Sequence, residues 1–207
     1  MPQTMNNTQL PAHVFREYDI RGKAHSEIDE SFAYLLGRAF GESLRLAGFD
    51  TAVVGRDNRK SSPALHHALI SGFHQAFCKV IDLGEVTTPM FYYALEHYKV
   101  PSGVMITASH NPADENGFKI ANRYSTIYGE EIRKLYKSMF TIGGSDGIPG
   151  KLLWRAGMTE SAPVKEAYLN MLVRKIQLGG RKLKVVVDCG NGTASLIAPE
   201  ALTRRGC

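Results

Sequence analysis

The sequence predicts an α/β protein, in which helices flank a sheet, followed by the beginning of a second unit of the same kind. Two observations lead to this prediction. Short apolar runs alternate with amphipathic segments, and several of the runs open into polar loops, which is the pattern of alternating strands and helices. The segment TIGGSDGIPGK at 141–151 then concentrates glycine and proline, which indicates a boundary. In α/β folds, the functional loops lie at the carboxyl ends of the strands.

The elements of the first unit follow from periodicity and from helix start and stop signals. Apolar residues at helical spacing from Phe32 to Leu44 predict the first helix, and Gly48 stands where a C-terminal cap belongs. Ser62 and Pro63 supply an N-cap and a first-turn proline for the second. In chain order, we predict a helix at 29–47, a strand at 51–54, a helix at 62–77, a strand at 79–83, a helix at 88–98, strands at 103–107 and 117–121, and a helix at 130–140.

The second unit begins beyond the glycine- and proline-rich segment. Its predicted elements are a helix from about Pro163 to Ile176, a strand of the buried type, LKVVVD, at 183–188, the loop CGNGTAS and a helix through Leu202. Roughly 50 residues bury too little surface for a stable domain, so we expect the chain to be the N-terminal portion of a longer protein. The domains are predicted as residues 10–150 and, as a linker with the incomplete start of a second domain, 151–207.

The composition excludes several classes of protein. Hydrophobic residues make up 43% of the chain and charged residues 22%, which is typical of globular proteins. No apolar run approaches the roughly 20 residues of a membrane span, and the polar start lacks the layout of a secretory signal. We therefore expect a cytoplasmic protein with no membrane partner. The 3 cysteines have no CxxC spacing, so neither a disulfide framework nor a zinc site is indicated.

The positive charge of the chain is confined to one end. The formal net charge is +5, but residues 1–150 hold 15 Lys and Arg against 16 Asp and Glu, whereas residues 151–207 hold 10 against 4. The basic cluster of this tail lacks the interleaved aromatic residues of a single-strand binder. We therefore expect no nucleic-acid partner.

The segment GVMITASHNPADENGFKI has the strongest chemical signal. Ser109, His110 and Asn111 follow an apolar strand that ends at Thr107, where α/β folds place their sites. A serine hydroxyl there can act as a nucleophile when a base or a metal activates it. Adjacent side chains diverge in extended chain, and the sequence has no GxSxG motif, so a serine hydrolase is disfavoured. From the residues alone, a turn without catalytic function stays open.

Four motifs extend the argument beyond single residues. FREYDIRG, VGRDNR, TASHNP and GFKI occur in this order between residues 15 and 120, and together they resemble the phosphohexomutase superfamily. FREYDIRG resembles the phosphomannomutase/phosphoglucomutase branch, whereas phosphoglucosamine mutases read closer to FGTDGIRG. VVVDCGNGTAS resembles the start of the family's second domain. The resemblance implies a mixed, mostly parallel sheet flanked by helices, as in domain 1 of the family, plus the start of a second, similar α/β domain.

The resemblance implies a reversible phosphoryl shift between positions 1 and 6 of a hexose phosphate. Ser109, as phosphoserine, donates its phosphoryl group, a bisphosphorylated sugar forms and turns over, and the other phosphate returns to the serine. The implied cofactors are Mg²⁺, with the phosphoserine oxygen of Ser109 as one ligand, and a hexose 1,6-bisphosphate as activator. Phosphoryl transfer has a loose transition state, which needs cations and alignment more than covalent chemistry.

The same resemblance assigns roles to four further residues. Arg21 corresponds to the family's active-site arginine, whose planar fork suits phosphate, and Tyr18 to a substrate-contacting tyrosine. Lys119 matches the proposed general base for the sugar hydroxyl. His110 matches the histidine beside the phosphoserine, where it binds substrate or moves a proton.

Several alternatives stay open. The GRDNR loop either reinforces the serine loop through ion pairs or only caps a strand. Phosphoglucosamine mutase is the alternative activity, and a non-catalytic binding module derived from a mutase is the alternative class. The family's DGDGDR-type magnesium loop, its GEMSGH-like sugar loop and its downstream phosphate loop are not found in this chain. We therefore expect the chain to be inactive by itself, and the choice between mannose and glucose and the oligomeric state are left open.

Overall fold

A computed structural model describes residues 10–145, 152, 154–180 and 182–207. Its strands are β1 (Ile20–Lys23), β2 (Thr51–Arg56), β3 (Lys79–Glu85), β4 (Gly103–Ile106), β5 (Glu115–Asn122), β6 (Ser125–Thr126) and β7 (Thr159–Ser161). Its α-helices are α1 (Glu30–Leu46), α2 (Ser62–Gln75), α3 (Thr88–Tyr98), α4 (Glu130–Ser145), α5 (Lys165–Lys175) and α6 (Ala198–Arg204). Short 3₁₀ helices occupy Ala12–Val14 and Thr193–Leu196.

The strands of the described residues form one mixed sheet in the order β1-β5-β4-β2-β3-β7, with β6 paired to β5. Strands β4, β2, β3 and β7 run parallel to one another. Strand β5 is antiparallel to both β4 and β1. The prediction of a mixed, mostly parallel sheet flanked by helices is confirmed.

Helices cover both faces of the sheet and give three layers. Helices α1, α2 and α4 pack on one face, whereas α3 and the start of α5 pack on the other. Helices α1 and α2 approach so closely that a Cβ atom on Gly72 would lie 2.1 Å from the carbonyl oxygen of Tyr34. Asp29 begins α1 by accepting a hydrogen bond from the backbone of Phe32 at 2.8 Å, which is the N-cap arrangement that the sequence favours there.

The order of the strands creates a crevice at one edge of the sheet. Helix α2 connects β2 to β3 on one side, and α3 returns the chain across β2 to β4 on its other side. The connections after β2 and β4 therefore leave in opposite directions. Ligands of open α/β sheets bind at such a switch point, outside the carboxyl ends of the strands. The loops at 57–61 and 107–114 lie there.

The predicted helices and strands of the first unit are confirmed to within a few residues, and the structure adds three strands that the sequence analysis missed, β1, β6 and β7. Helix α4 ends at Ser145 rather than near Phe140, so it extends into the segment assigned to the domain boundary. The rest of that segment, including the division at residue 150, lies outside the described residues and stays a prediction.

The predicted strand at 183–188 is wrong. These residues form no strand, and Val186 is 94% exposed. A strand of the buried type needs pairing partners at its edges and cover on both faces, and no strand of the described residues pairs with this segment. The expected C-terminal helix is confirmed as α6. Among the described residues, no helix is both long and apolar enough to cross a bilayer.

Candidate active site

The serine loop, residues 107–114, joins β4 to β5 at the crevice. Ser109 is exposed and has a left-handed backbone with φ of 59°. Its N–H donates to Thr107 Oγ1 at 2.9 Å. A left-handed conformation costs a non-glycine residue roughly 1–2 kcal/mol, and such residues cluster at functional sites. The loop therefore presents the Ser109 hydroxyl to solvent at the edge of the sheet.

His110 lies beside this hydroxyl. The distance from Ser109 Oγ to His110 Nδ1 is 3.4 Å, which is the outer limit of a hydrogen bond. His110 is exposed, and among the described residues no carboxylate contacts its ring. The described residues therefore do not provide the carboxylate that orients the histidine in a Ser-His-Asp triad.

A second group of side chains comes from the neighbouring antiparallel strands. In the register of β1 and β5, Arg21 lies opposite Gly117, so Lys119, two residues further on, projects from the same face of the sheet. Both cations contact Asp19 Oδ2, from Arg21 Nη2 at 2.6 Å and from Lys119 Nζ at 3.3 Å. The Asp19 side chain is only 9% exposed. The structure thus brings Arg21 and Lys119 together through a carboxylate.

Asn111 connects this group to the serine loop. Its Oδ1 accepts a hydrogen bond from Arg21 Nη1 at 3.0 Å, and its Nδ2 donates to Glu115 Oε2 at 2.6 Å. The sequence analysis noted Asn111 only as part of the loop and did not single out Asp19. Asp19 lies two residues before Arg21, the spacing that places two side chains on one face of extended chain, and this spacing could have indicated it.

Tyr18 lies at the rim of the site. It is 66% exposed, and its ring centroid is 6.5 Å from that of Tyr128. The segments that hold the two rings are joined by a hydrogen bond from Gly129 N–H to the carbonyl of Glu17 at 2.9 Å. The Tyr18 ring is thus accessible to a ligand. Within the described residues, it contacts none of Ser109, His110 and Lys119.

A cleft of about 1130 Å³ opens in front of the serine loop. Its walls come from the ends of β2 and β4 and from residues 190–197 of the second unit. Asn58 Nδ2 joins the two sides by donating to the carbonyl of Asn191 at 2.7 Å. Small-molecule sites commonly measure about 300–1,000 Å³, so the cleft has room for a phosphorylated sugar. Ser109 and His110 both line it.

An ion pair joins β1 to the end of the serine loop. Lys23 Nζ contacts Asp114 Oδ2 at 2.7 Å. This hydrogen bond lowers the pKa of Asp114 and raises that of Lys23. Both groups are solvated, so their pair stabilises the loop only modestly.

The described residues do not gather a complete metal site. They contain no group of three or more His, Cys, Asp or Glu side chains that could hold a metal ion. Magnesium requires several oxygen ligands in nearly octahedral geometry. Ser109, once phosphorylated, would supply one such oxygen. The other described residues do not provide the set of oxygen ligands that would complete the coordination shell of the ion.

The fold and these side chains define a class of protein: an α/β/α domain that presents a serine at the carboxyl end of a central strand, with an arginine and a lysine held nearby. Residues 12–144 match the family model described as phosphoglucomutase/phosphomannomutase, alpha/beta/alpha domain I. The chain belongs to this family.

Similar proteins agree with this assignment. A phosphomannomutase/phosphoglucomutase of Pseudomonas putida is 40% identical over 198 residues, which are 96% of this chain and 41% of that protein. A probable phosphoglucosamine mutase of Methanosarcina barkeri is 35% identical over 94% of this chain and 42% of its own length. A crystal structure of a phosphoglucomutase/phosphomannomutase family protein from Burkholderia thailandensis is 37% identical, with a TM-score of 0.85 over 96% of this chain and 43% of that one. The chain thus spans about two fifths of the length of these relatives.

Proposed function

We propose that this chain is the phosphoryl-carrying portion of a phosphohexomutase, in which Ser109 carries the phosphoryl group between hexose 1-phosphate and hexose 6-phosphate. One observation carries the proposal: Ser109 is exposed, left-handed and at the carboxyl end of β4, where it lines the large cleft. Membership of the family supports the same role.

The proposed reaction is a pair of opposite phosphoryl transfers. The Ser109 Oγ–P bond breaks as the phosphorus bonds to the free hydroxyl oxygen of the sugar phosphate. The proton of that hydroxyl passes to Lys119, the proposed general base, and the Ser109 oxygen, which is the leaving group, takes up a proton from His110, whose Nδ1 lies 3.4 Å away. In the second transfer the O–P bond at the other end of the sugar breaks as the phosphorus bonds to Ser109 Oγ; the serine proton returns to His110, and Lys119 gives its proton to the new sugar hydroxyl. Arg21 and His110 stabilise the transferring charge, and Tyr18 contacts the sugar.

The proposal includes Mg²⁺ and a hexose 1,6-bisphosphate. The ion would supply positive charge at the transferring phosphate, and the bisphosphate would phosphorylate Ser109 in an enzyme that has lost its phosphate. Because the described residues do not complete a magnesium site, no step above depends on the ion.

Two candidate groups of substrate follow from different observations. The FREYDIRG motif favours mannose and glucose phosphates, as does the name of the Pseudomonas putida relative. Phosphoglucosamine is the alternative, and the Methanosarcina barkeri relative supports it. The complete protein, assayed with the 1-phosphates of mannose, glucose and glucosamine, separates them: the highest kcat/KM identifies the substrate.

Phosphorylation of Ser109 is the first test. Protein purified from cells should carry one phosphoryl group on part of its molecules, and Ser109→Ala should abolish this mass increase. Intact-mass spectrometry and peptide mapping measure the effect, with the exposed Ser125→Ala as the matched control, which should keep the phosphate. Phosphate found only on Ser61, Ser62 or another residue would contradict the proposal.

A further inference from the structure

Arg59 lies behind the serine loop and donates to three of its backbone carbonyls and to the carbonyl of Glu115, the first residue of β5. Nη2 donates to Ser109 at 3.1 Å and to Asn111 at 2.7 Å. Nη1 donates to Pro112 at 2.5 Å and to Glu115 at 3.0 Å. One guanidinium therefore spans the whole turn that holds the serine, with charge-assisted hydrogen bonds of the stronger kind.

The remaining donor of Arg59 fixes the guanidinium to the end of β2. Nε donates to Asp57 Oδ2 at 3.2 Å, and the two side chains are 12% and 9% exposed. Asp57 Oδ1 in turn accepts from the backbone N–H of Arg59 at 3.1 Å and from Ser62 Oγ at 2.6 Å. Asn116, at the start of β5, donates to Ser62 Oγ at 3.0 Å. The network ties the guanidinium to the end of β2 and to the start of β5.

This arrangement uses every donor that an arginine has. A guanidinium carries five N–H groups, and here three point at carbonyls of the serine loop, one at the carbonyl of Glu115 and one at the carboxylate of Asp57. Arg59 therefore has no N–H left for a substrate phosphate, although it lines the cleft. Its contacts are those of a residue that holds the backbone of the loop.

We propose that Arg59 is a positioning residue, which holds the left-handed turn at Ser109 so that the phosphoserine is aligned for transfer; this inference rests on the proposed function. The transition state of phosphoryl transfer depends mainly on alignment and charge. Displacing a reacting group by about 1 Å can cost on the order of 10²-fold in rate. A lysine has three donors and no planar fork, so it cannot replace the five bonds.

The test uses the complete enzyme that contains this chain, with its hexose 1-phosphate substrate and 1,6-bisphosphate activator. We expect Arg59→Ala to lower kcat by about 10²-fold and Arg59→Lys to give a smaller loss, with KM nearly unchanged in both. Arg56→Lys is the matched control: Arg56 is the last residue of β2, three positions before Arg59, and it bonds to Glu85 and to the carbonyl of Asp57, so the rate of this variant should stay near that of the parent. Single-turnover transfer from phosphorylated Ser109 should slow in parallel with kcat.

Two outcomes separate the failure of this inference from the failure of the proposed function. If Ser109→Ala keeps activity and phosphorylation, the proposed function is wrong. If Ser109→Ala is inactive but both Arg59 variants match Arg56→Lys, only the positioning role is wrong. Thermal unfolding of each variant gives the folded fraction at the assay temperature, and Arg59→Lys keeps the positive charge if Arg59→Ala fails to fold. A loss of kcat fully explained by a lower folded fraction would also overturn the positioning role.

Discussion

At the scale of single residues, the carboxylate of Asp19 determines where two of the proposed catalytic cations lie. Arg21 and Lys119 both contact its Oδ2 atom, and Arg21 also reaches Asn111 in the serine loop. A nearly buried carboxylate between two cations offsets their mutual repulsion and keeps both side chains on one side of the sheet. Without Asp19, like charges would separate, so this residue is part of the site although the sequence analysis did not name it.

Lys119 is expected to act as a base as well as a charge. In the complete enzyme, Lys119→Met removes both properties while it keeps an unbranched stem, and kcat should fall by about 10²–10⁴-fold, the usual contribution of a general acid or base. Steady-state kinetics measure this fall, and circular dichroism checks that the fold is retained.

Lys119→Arg separates the two properties, because an arginine stays charged and does not give up its proton at ordinary pH. If proton transfer is the main contribution, the Arg variant should be nearly as slow as the Met variant. A rate within about threefold of the parent in Lys119→Met would show that another group moves the proton.

The position of Ser109 could be predicted from the sequence, but the contacts of Arg59 that hold the serine loop could not. Ser109 follows an apolar strand, and strand ends are where α/β folds carry their sites, so its location could be predicted from the pattern, whereas its role as phosphoryl carrier was implied only by the family resemblance. Arg59 binds backbone carbonyls, which every residue possesses, and its targets at 109–115 lie about fifty positions away. No pattern of residue types records such contacts, and the sequence analysis left the GRDNR loop undecided for this reason.

At the scale of elements, the failures have physical causes. Strand β1 alternates buried and exposed positions, but one of its buried positions is Gly22, which has no side chain to reveal the alternation. Strand β7 has only three residues, and its backbone pairs with β3. The run LKVVVD has the composition of a central strand, yet composition does not supply the neighbours that a strand needs. Strands β2 to β5 could be predicted because their side chains meet cores on both faces.

The segment that leads into β7 is attached to α2 through a buried histidine. His74 Nδ1 accepts a hydrogen bond from the backbone N–H of Arg155 at 3.1 Å, and Nε2 contacts Thr159 Oγ1 at 2.9 Å. A backbone N–H can only donate, so Nδ1 carries no proton and the ring is neutral. The ring also meets Trp154, whose indole stacks on His67.

Stability should therefore depend on the protonation of His74. Burial lowers the pKa of its imidazole below the ordinary value of 6.5; an interaction with the backbone of Met158 opposes part of this shift, and the charges of Arg155 and His67 add to it. The unfolded chain takes up the proton first as the pH falls, so stability is complete above about 6.5 and declines down to the lowered pKa, by at most about 1.4 kcal/mol per pH unit. His74→Gln keeps a donor and an acceptor without this titration.

Urea unfolding at several pH values between 5 and 8 tests this expectation. The parent should lose more stability on acidification than His74→Gln, whereas the control His97→Gln, at an exposed position, should behave as the parent does. Equal pH dependence in the parent and in His74→Gln would show that His74 does not titrate on unfolding.

At the scale of the whole molecule, the 207-residue chain is expected to have no mutase activity, even with magnesium and a hexose 1,6-bisphosphate. It holds Ser109, Arg21, His110 and Lys119, but its described residues form no metal site, and the sugar and phosphate loops implied by the family resemblance are not found in it. Because alignment and charge provide most of the rate in phosphoryl transfer, the remaining groups should transfer at close to background. Conversion of glucose 1-phosphate that disappears in Ser109→Ala would contradict this.

Limited proteolysis should show how much of the chain packs as one body. Residues 176–180 and 182–189 form no helix or strand and are largely exposed, so we expect early cleavage there. The retained fragment should include α5, because β7 pairs with β3 and Tyr98 Oη donates to the carbonyl of Ala162 at 3.2 Å. Mass spectrometry of the products measures the new ends. A stable core that ends near residue 150 would instead support the division predicted from the sequence.

The antiparallel pairing of β4 and β5 has a consequence for motion during the proposed reaction. Met105 lies opposite Lys119 in this pair, and the serine loop is the connection between the two strands, so Ser109 and Lys119 belong to one hairpin. A hairpin inside a sheet moves as a unit, so the strands that carry the proposed phosphoryl donor and the proposed base keep a constant separation. Both proposed transfers therefore take place at one fixed pair of residues. In the proposed reaction it is the sugar that has to reorient, so that its two ends reach the same pair of residues in succession.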